Sequence, residues 1–265
     1  GVTATLELYH ADPQLCIPLL VAENLDDIAA DWRGWSNACG LPMLLVEADD
    51  GTIVDESAAA RTLTNEGATI VDGAARLVGA RSMAFDGTDD RVEMADHADL
   101  SFGSGDFVVE CFFSAPSTPG AAAILLSHND STGNQREWNI YYELVSDQHR
   151  LVCAVSYNGS TFSTAHAVIN PILVFNGNAH HLAVVRNGAS LTVYVNGEAG
   201  ADVLNVGANT LHNSTAKGMI GARQNGAGFT APRPGRFDEV RITKGVARYT
   251  GNFISPRRPF PRHGP

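Results

Sequence analysis

The segment Arg186-Asn187-Gly188-Ala189-Ser190-Leu191-Thr192-Val193-Tyr194-Val195-Asn196-Gly197 constrains this chain more than any other. Leu191, Val193 and Val195 alternate with polar or surface-tolerant positions, as one face of a strand does. Asn187-Gly188 precedes this run and Asn196-Gly197 ends it. Asn-Gly is the strongest short hairpin signal, because both residues tolerate positive φ. The same grammar recurs across the chain. Phe107, Val109, Cys111 and Phe113 form one inward set. Trp138, Ile140, Tyr142 and Leu144 form another, and Leu151, Cys153, Val155 and Tyr157 a third. His181, Ala183 and Val185 against Leu182 and Val184 suggest a strand buried on both sides. Asn158-Gly159 and Asn225-Gly226 add turns. Short strands with turns about every ten residues indicate an all-β sandwich or barrel. A composition of 44% hydrophobic and 18% charged residues, with 26 Gly and 12 Pro, agrees with that.

The first fifty residues read differently. Thr3–Tyr9 alternates as a strand, and Cys16–Ala22 is an apolar run interrupted by Pro18. Asn24–Cys39 is helical, with Asn24 as cap and Leu25, Ile28, Ala29, Trp32, Trp35 and Cys39 on one stripe. Met43–Val46 is a further strand, and Asp49-Asp50-Gly51 marks a boundary. The expected organisation is a small α+β module over 1–50, suited to attachment, followed by a β-sandwich over 51–265. The final stretch, Pro256–Pro265, is rich in Pro and Arg and reads as extended.

A formal net charge of −11 disfavours nucleic acid and anionic membranes as partners. No run of about 18 apolar residues is present, so membrane insertion is not expected. None of the four cysteines has CxxC spacing. Cys111 and Cys153 fall inside apolar strands and read as buried free thiols, with a disulfide between them as the alternative.

Four motifs in order carry a resemblance. Ser82-Met83-Ala84-Phe85-Asp86-Gly87 and Gly105-Asp106-Phe107-Val108-Val109-Glu110 come first. The Arg186–Gly197 hairpin and Phe237-Asp238-Glu239-Val240-Arg241-Ile242-Thr243 follow. Together they resemble laminin-G-like, concanavalin A-like jelly rolls over roughly residues 50–260. Lys244-Gly245-Val246-Ala247-Arg248-Tyr249, with Phe253, resembles a continuation found in bacteriophage and prophage tail proteins. The resemblance implies a two-sheet antiparallel jelly-roll sandwich. It also implies a binding or structural role in a fibre, spike or decoration protein at a virion surface, with host glycan or other particle proteins as partners. Such proteins commonly form homotrimers, so an oligomer is expected. On the closing strand, Val240 and Ile242 should face the interior, and Glu239 and Arg241 should face out.

The resemblance further implies a structural Ca²⁺ that ties the start of the domain to its closing strand, with Asp55 and Asp238 at the matching positions. Capping of turns is the plainer use of both. Asp86, Asp89 and Asp90 form a second acidic cluster. Glycan candidates are the outward-parity Tyr141 and Tyr194, and a polar tip at His128, Asn129 and Asp130. Catalysis has less support. Glucanases on this fold carry Glu-x-Asp-x-x-Glu on one strand, and that run is absent. Glu137 and Glu143 share strand parity but would lie roughly 20 Å apart at strand rise, and read as surface carboxylates. There is no Gly-x-Ser-x-Gly elbow. His180 and His181 should point to opposite faces, one in the core and one on the surface. A polysaccharide-degrading enzyme and a bacterial surface adhesin remain the alternatives.

Overall fold

The computed structural model describes residues 4–8, 17–22, 43–49, 52–55, 57, 60–72, 77–78, 81–118, 122–230, 234–257 and 259–260, with side chains from Thr52 onward. The predicted helix at 24–39, with Cys16 and Cys39, lies outside these residues. In chain order the strands are β1 (Ala4–Leu8), β2 (Ile17–Ala22), β3 (Met43–Asp49), β4 (Thr52–Asp55), β5 (Leu63–Glu66), β6 (Thr69–Asp72), β7 (Arg81–Asp86), β8 (Arg91–Met94), β9 (Phe107–Ser114), β10 (Ala123–Asp130), β11 (Gln135–Val145), β12 (Gln148–Val155), β13 (Ser163–Val168), β14 (His180–Asn187), β15 (Ser190–Val195), β16 (Glu198–Ala199), β17 (Leu204–Asn205), β18 (Gly218–Ile220), β19 (Arg223–Asn225), β20 (Gly228–Thr230) and β21 (Pro234–Lys244). A 3₁₀ turn covers Ala98–Leu100, and a short helix, α1, covers Pro171–Val174.

Strands β1 and β2 pair with each other. The remaining strands form two sheets. The first runs β13-β12-β11-β10-β18-β8-β5, with β19 alongside β10 and β20 on β19. The second runs β16-β15-β14-β9-β21-β3-β4, with β17 on β15, β7 on β21 and β6 on β7. Strand β3 was assigned to the amino-terminal module from its sequence. It pairs instead with the closing strand, Val46 opposite Val240 and Met43 opposite Thr243, and so extends the second sheet.

The two inner faces meet in one core. It contains Phe107, Val109, Cys111 and Phe113 from β9, Trp138, Ile140 and Tyr142 from β11, Leu151, Cys153 and Val155 from β12, and Leu191 and Val193 from β15. Cys111 and Cys153 are buried free thiols, as expected. Leu144 has the right parity but not the predicted burial. It lies where β11 runs past the end of the core and is 48% exposed. Two apolar cavities between the sheets measure about 20 and 40 Å³. Each has room for little more than a water molecule, so neither holds an organic ligand.

The turns are tight for the reason expected, with one shift. Asn187 pairs with Ser190, so the two loop residues are Gly188 and Ala189, and Gly188 alone takes positive φ (57°). That is the type II′ arrangement, with Gly at the first loop position. Asn196-Gly197 joins β15 to β16 with both φ values positive, 53° and 85°, as type I′ requires.

The outer face of the second sheet is not left to solvent. The segment after β21 folds back across it. Tyr249 stacks on Phe253 at 3.6 Å between ring centroids, and both pack on Val108, Ala183, Val185 and Tyr194. Phe260 packs on Phe112 and lies 3.7 Å over the Arg241 guanidinium. Beneath this strap Glu110 is completely buried. Its Oε1 accepts from Arg241 Nε at 2.8 Å, and its Oε2 accepts from Tyr249 Oη at 2.9 Å and faces His181 Nε2 at 3.1 Å. Glu239 and Arg241 were expected to be solvent-facing. They are only 3% and 4% exposed, because the strap covers them. Both histidines of the His180–His181 pair are buried as well. His181 lies under the strap, and His180 lies against Asn176 and Asn196.

Candidate ligand-binding end of the sandwich

One end of the sandwich is built from polar loops tied together by buried charged and polar side chains. Arg186, near the end of β14, is 1% exposed. Its guanidinium donates to four backbone carbonyls: Gly103 at 3.1 Å, Gly188 at 3.2 Å, Gly207 at 3.1 Å and Asn209 at 3.0 Å. The planar fork of an arginine suits this task, since its five N–H groups point in fixed directions. Burial pulls its pKa down, and the nearby Asp106 carboxylate opposes that shift. Asp106 accepts the Gly188 N–H at 2.7 Å, so the same hairpin tip is held from both sides.

A second hub comes from a β-bulge. His128 pairs with Trp138, and the next residue, Asn129, pairs with Arg136, which leaves Glu137 as the extra residue. A bulge re-aims the side chain it displaces. Glu137 is therefore fully buried rather than on the surface as predicted. It accepts from Ser101 Oγ at 2.8 Å, Phe102 N at 3.0 Å and Ser214 N at 3.3 Å, and it faces His128 Nδ1 at 3.0 Å. The other nitrogen of His128 faces Asp96 at 3.2 Å. Glu137 thus fastens the 101–102 and 214 loops to β11.

Asp130 closes the set. Burial would raise its pKa, but hydrogen bonds from Gly226 N, Thr132 N and Thr132 Oγ1 lower it. It joins the β10–β11 turn to the β19–β20 turn. Asn158 organises the neighbouring loop, where Oδ1 accepts from Ser160 N at 2.9 Å and Thr161 N at 3.0 Å. The exposed residues on these tied loops include the amides and hydroxyls of Asn134, Asn158, Ser160, Thr161, Asn209 and Thr210.

The residues singled out from sequence land in different places. His128, Asn129 and Asp130 do not form a loop tip. They are the last residues of β10 and are buried, because the strand continues three residues further than its apolar pattern indicates. Asn129 Oδ1 and Nδ2 and Asn139 Oδ1 are buried with no protein partner. Tyr141 does reach the outer face of the first sheet and is half-buried there. Burial, with the neighbouring Glu143 carboxylate, pushes its hydroxyl up to about 12. Tyr194 is not available to a ligand. It is 5% exposed, beneath Phe253.

The two expected Ca²⁺ ligands, Asp55 and Asp238, both have protein partners in this structure. Asp55 accepts from Ser57 N, Arg61 N and Arg61 Nη1, so the Arg61 guanidinium already supplies the positive charge. Asp238 Oδ2 accepts from Val78 N and Ser82 Oγ, which are partners distinct from those of Asp55. Both residues use their carboxylates to cap chain segments. Among the described residues, one group of three acids could share a cation: Asp86, Asp89 and Asp90, with ligand atoms within 4.8 Å of one another. Asp90 in that group already accepts the Asp86 N–H. Among the described residues no helix is long and apolar enough to cross a membrane.

Two stacked antiparallel sheets with their connections gathered into tied end loops define a jelly-roll sandwich. The chain belongs to the concanavalin A-like lectin/glucanases superfamily, whose family model matches residues 86–247. Residues 1–76 match a family of unknown function (DUF6101), and that match runs from the amino terminus across β3 into the sandwich strands. No curated protein sequence matches the chain. Among solved structures it is similar to the binding domain of Paraclostridial Mosquitocidal Protein 1, with 15% identity and a TM-score of 0.61 over 78% of this chain and 50% of that one. It is also similar to the binding domain of botulinum neurotoxin DC, solved in complex with rat synaptotagmin II, with 13% identity and a TM-score of 0.56 over 77% of this chain and 48% of that one. A third is botulinum neurotoxin type C, which depends on interaction with two ganglioside molecules to enter cells. There identity is 15% and the TM-score 0.56, over 80% of this chain and 50% of that one. The chain spans about half the length of these structures, and the likeness establishes the fold.

Proposed function

We propose that this chain is a non-enzymatic binding module that recognises a neutral glycan on a host surface through its tied loop end. The observation that carries the reading is that three buried charged residues at that end, Arg186, Glu137 and Asp130, hold its loops in place. Arg186, Glu137 and Asp130 spend their hydrogen-bonding capacity on holding loops, and loop amides and hydroxyls are left facing solvent. Loops fixed before binding lose little conformational entropy when a ligand arrives. A glycosidase needs one carboxylic acid and one carboxylate facing a common groove, whereas Glu137 is sealed behind three donors. The glycan and receptor ligands of the similar toxin domains support recognition as the role of the fold.

The setting we propose is a fibre, spike or decoration protein at a virion surface. Its support is the resemblance of residues 244–253 to phage tail proteins. A glycan array probed with wild type and with Asn158→Ala tests the reading. Retained binding to a neutral glycan, lost in the variant, is expected. An empty array combined with reducing-sugar release from host polysaccharide would overturn it.

A further inference from the structure

Buried polar atoms without partners are rare, and each one calls for a reason. Asn129 Oδ1, Asn129 Nδ2 and Asn139 Oδ1 are such atoms, and they lie on neighbouring strands. Asn139 stands directly opposite Ser127, so the two share a face of the first sheet. Asn129 follows Ser127 by two residues on β10, and Tyr141 follows Asn139 by two on β11, which keeps both on that face. The face is the outer one, because Leu126, Trp138 and Ile140, of opposite parity, belong to the core between the sheets. Yet Asn129 is 0% exposed and Asn139 only 2%.

The segment after β18 passes over this place. Gly221, at a φ of 82°, turns the chain, and its N–H donates to the Leu125 carbonyl at 2.7 Å. Ser127 Oγ then donates to the Ala222 carbonyl at 2.8 Å, and Gln224 pairs with Asp130. Residues 222–224 therefore run along the outer side of residues 127–130, past Asn129, before β19 turns into β20. Hydrogen bonds hold this hairpin down: Gly226 N to Asp130 Oδ1 at 2.8 Å and Ser131 Oγ to Asn225 Oδ1 at 2.7 Å. The Phe229 ring adds a contact with the Arg91 guanidinium at 3.9 Å. None of residues 223–230 is buried, and none joins an apolar core cluster. A segment held in this way opens locally while the sheet beneath it stays folded.

Resting on the glycan reading above, we propose that Asn129, Asn139 and Tyr141 form a sugar subsite beside the tied loops, and that the β19–β20 hairpin lifts to admit a sugar ring and closes on it. The chemistry fits adjacent ring hydroxyls. Asn129 offers an acceptor and an N–H₂ donor, Asn139 Oδ1 offers a second acceptor, and a hydroxyl both donates and accepts. The half-buried Tyr141 ring gives the apolar C–H face of a sugar something to pack on. An apolar ligand would leave the same three atoms unpaired. Asp130 couples the subsite to the tied end, since it adjoins Asn129 and holds the hairpin through Gly226.

Asn129→Leu and Asn139→Leu separate recognition from folding, because leucine is close to the amide in size and needs no hydrogen-bond partner. On an array of neutral glycans each variant should bind at least tenfold more weakly than wild type, since a sugar hydroxyl loses its partner. The urea unfolding midpoint of each should equal or exceed that of wild type, because an unpaired buried group has been removed. Undiminished binding by both variants, with binding lost in Asn158→Ala, would overturn the subsite and leave the tied-loop reading standing. An array empty for wild type would remove that reading and the subsite with it. A midpoint that falls in both variants would make the amides part of the fold and overturn the subsite even if binding is lost.

Discussion

Replacing Glu110 by Gln keeps the shape of the side chain and removes its charge beneath the strap. Burial by itself would raise the pKa of Glu110. The Arg241 guanidinium, the His181 hydrogen bond and the more distant Arg248 outweigh burial and bring it from 4.5 to about 2. A drop of that size corresponds to about 3 kcal/mol of stabilisation at pH 7. This agrees with the roughly 3–5 kcal/mol lost when one partner leaves a buried ion pair. The geometry gives the same answer. Oε1 holds Arg241 at 2.7 and 2.8 Å, and Oε2 faces the Tyr249 hydroxyl and His181. A glutamine carbonyl can still accept from Arg241, but its N–H₂ cannot accept the Tyr249 hydroxyl proton as Oε2 does, and the charge opposite Arg241 is gone. Because the carboxylate pKa is depressed, its contribution is complete above about 4.5 and fades as pH falls towards 2. Urea unfolding of wild type and Glu110→Gln should therefore differ by about 3 kcal/mol at pH 7 and by only about 1 kcal/mol at pH 3. A gap below 1 kcal/mol at neutral pH, or one that does not narrow on acidification, would refute the reasoning.

Further outcomes follow from the other hubs. Arg186→Met releases four carbonyls at once and should cost about 3 kcal/mol, with faster amide exchange at Leu211, whose N–H bonds the Gly103 carbonyl. Glu137→Ala strands three donors and should cost a comparable amount, about 3 kcal/mol. The Phe102 and Ser214 amides should lose protection while those of β14 keep theirs. Burial, with Glu110 beside it, pushes the Cys111 thiol far up, and burial alone takes Cys153 to about 12. Peptide mapping after iodoacetamide treatment at pH 8 should find neither labelled in the native protein, and both labelled in urea.

The inward sets were legible because their signal is local. Phe107 through Phe113 and Trp138 through Tyr142 alternate over spans that match real strands, and Asn196-Gly197 makes the turn its residues favour. Errors arose where parity or cover depends on distant chain. Glu137 breaks parity because of a bulge specified by how β10 and β11 pair. Glu239 does the same on β21, where Asp238 pairs with Phe112 and Arg241 with Glu110, and it takes a positive φ of 51°. Tyr194, Glu239 and Arg241 have outward parity but are covered by residues 249–260, which carry no periodic signal. Leu144 continues a pattern past the point where the second sheet stops facing it. The site had one signal in the sequence. Arg186, like Glu110 beneath the strap, is a charged residue inside an otherwise apolar strand, and such a residue must have a partner found elsewhere in the chain.

The strap also sets where this protein can be cut. The superfamily match stops at residue 247, yet Tyr249, Phe253 and Phe260 lie beyond it. A chain trimmed to that limit would keep every strand of the sandwich while uncovering Glu110, Arg241 and the apolar ring of Val108, Val185 and Tyr194. Such a fragment should be sticky and sensitive to salt, and its behaviour would say little about the native molecule. The physical unit of folding extends through the segment that closes over its back.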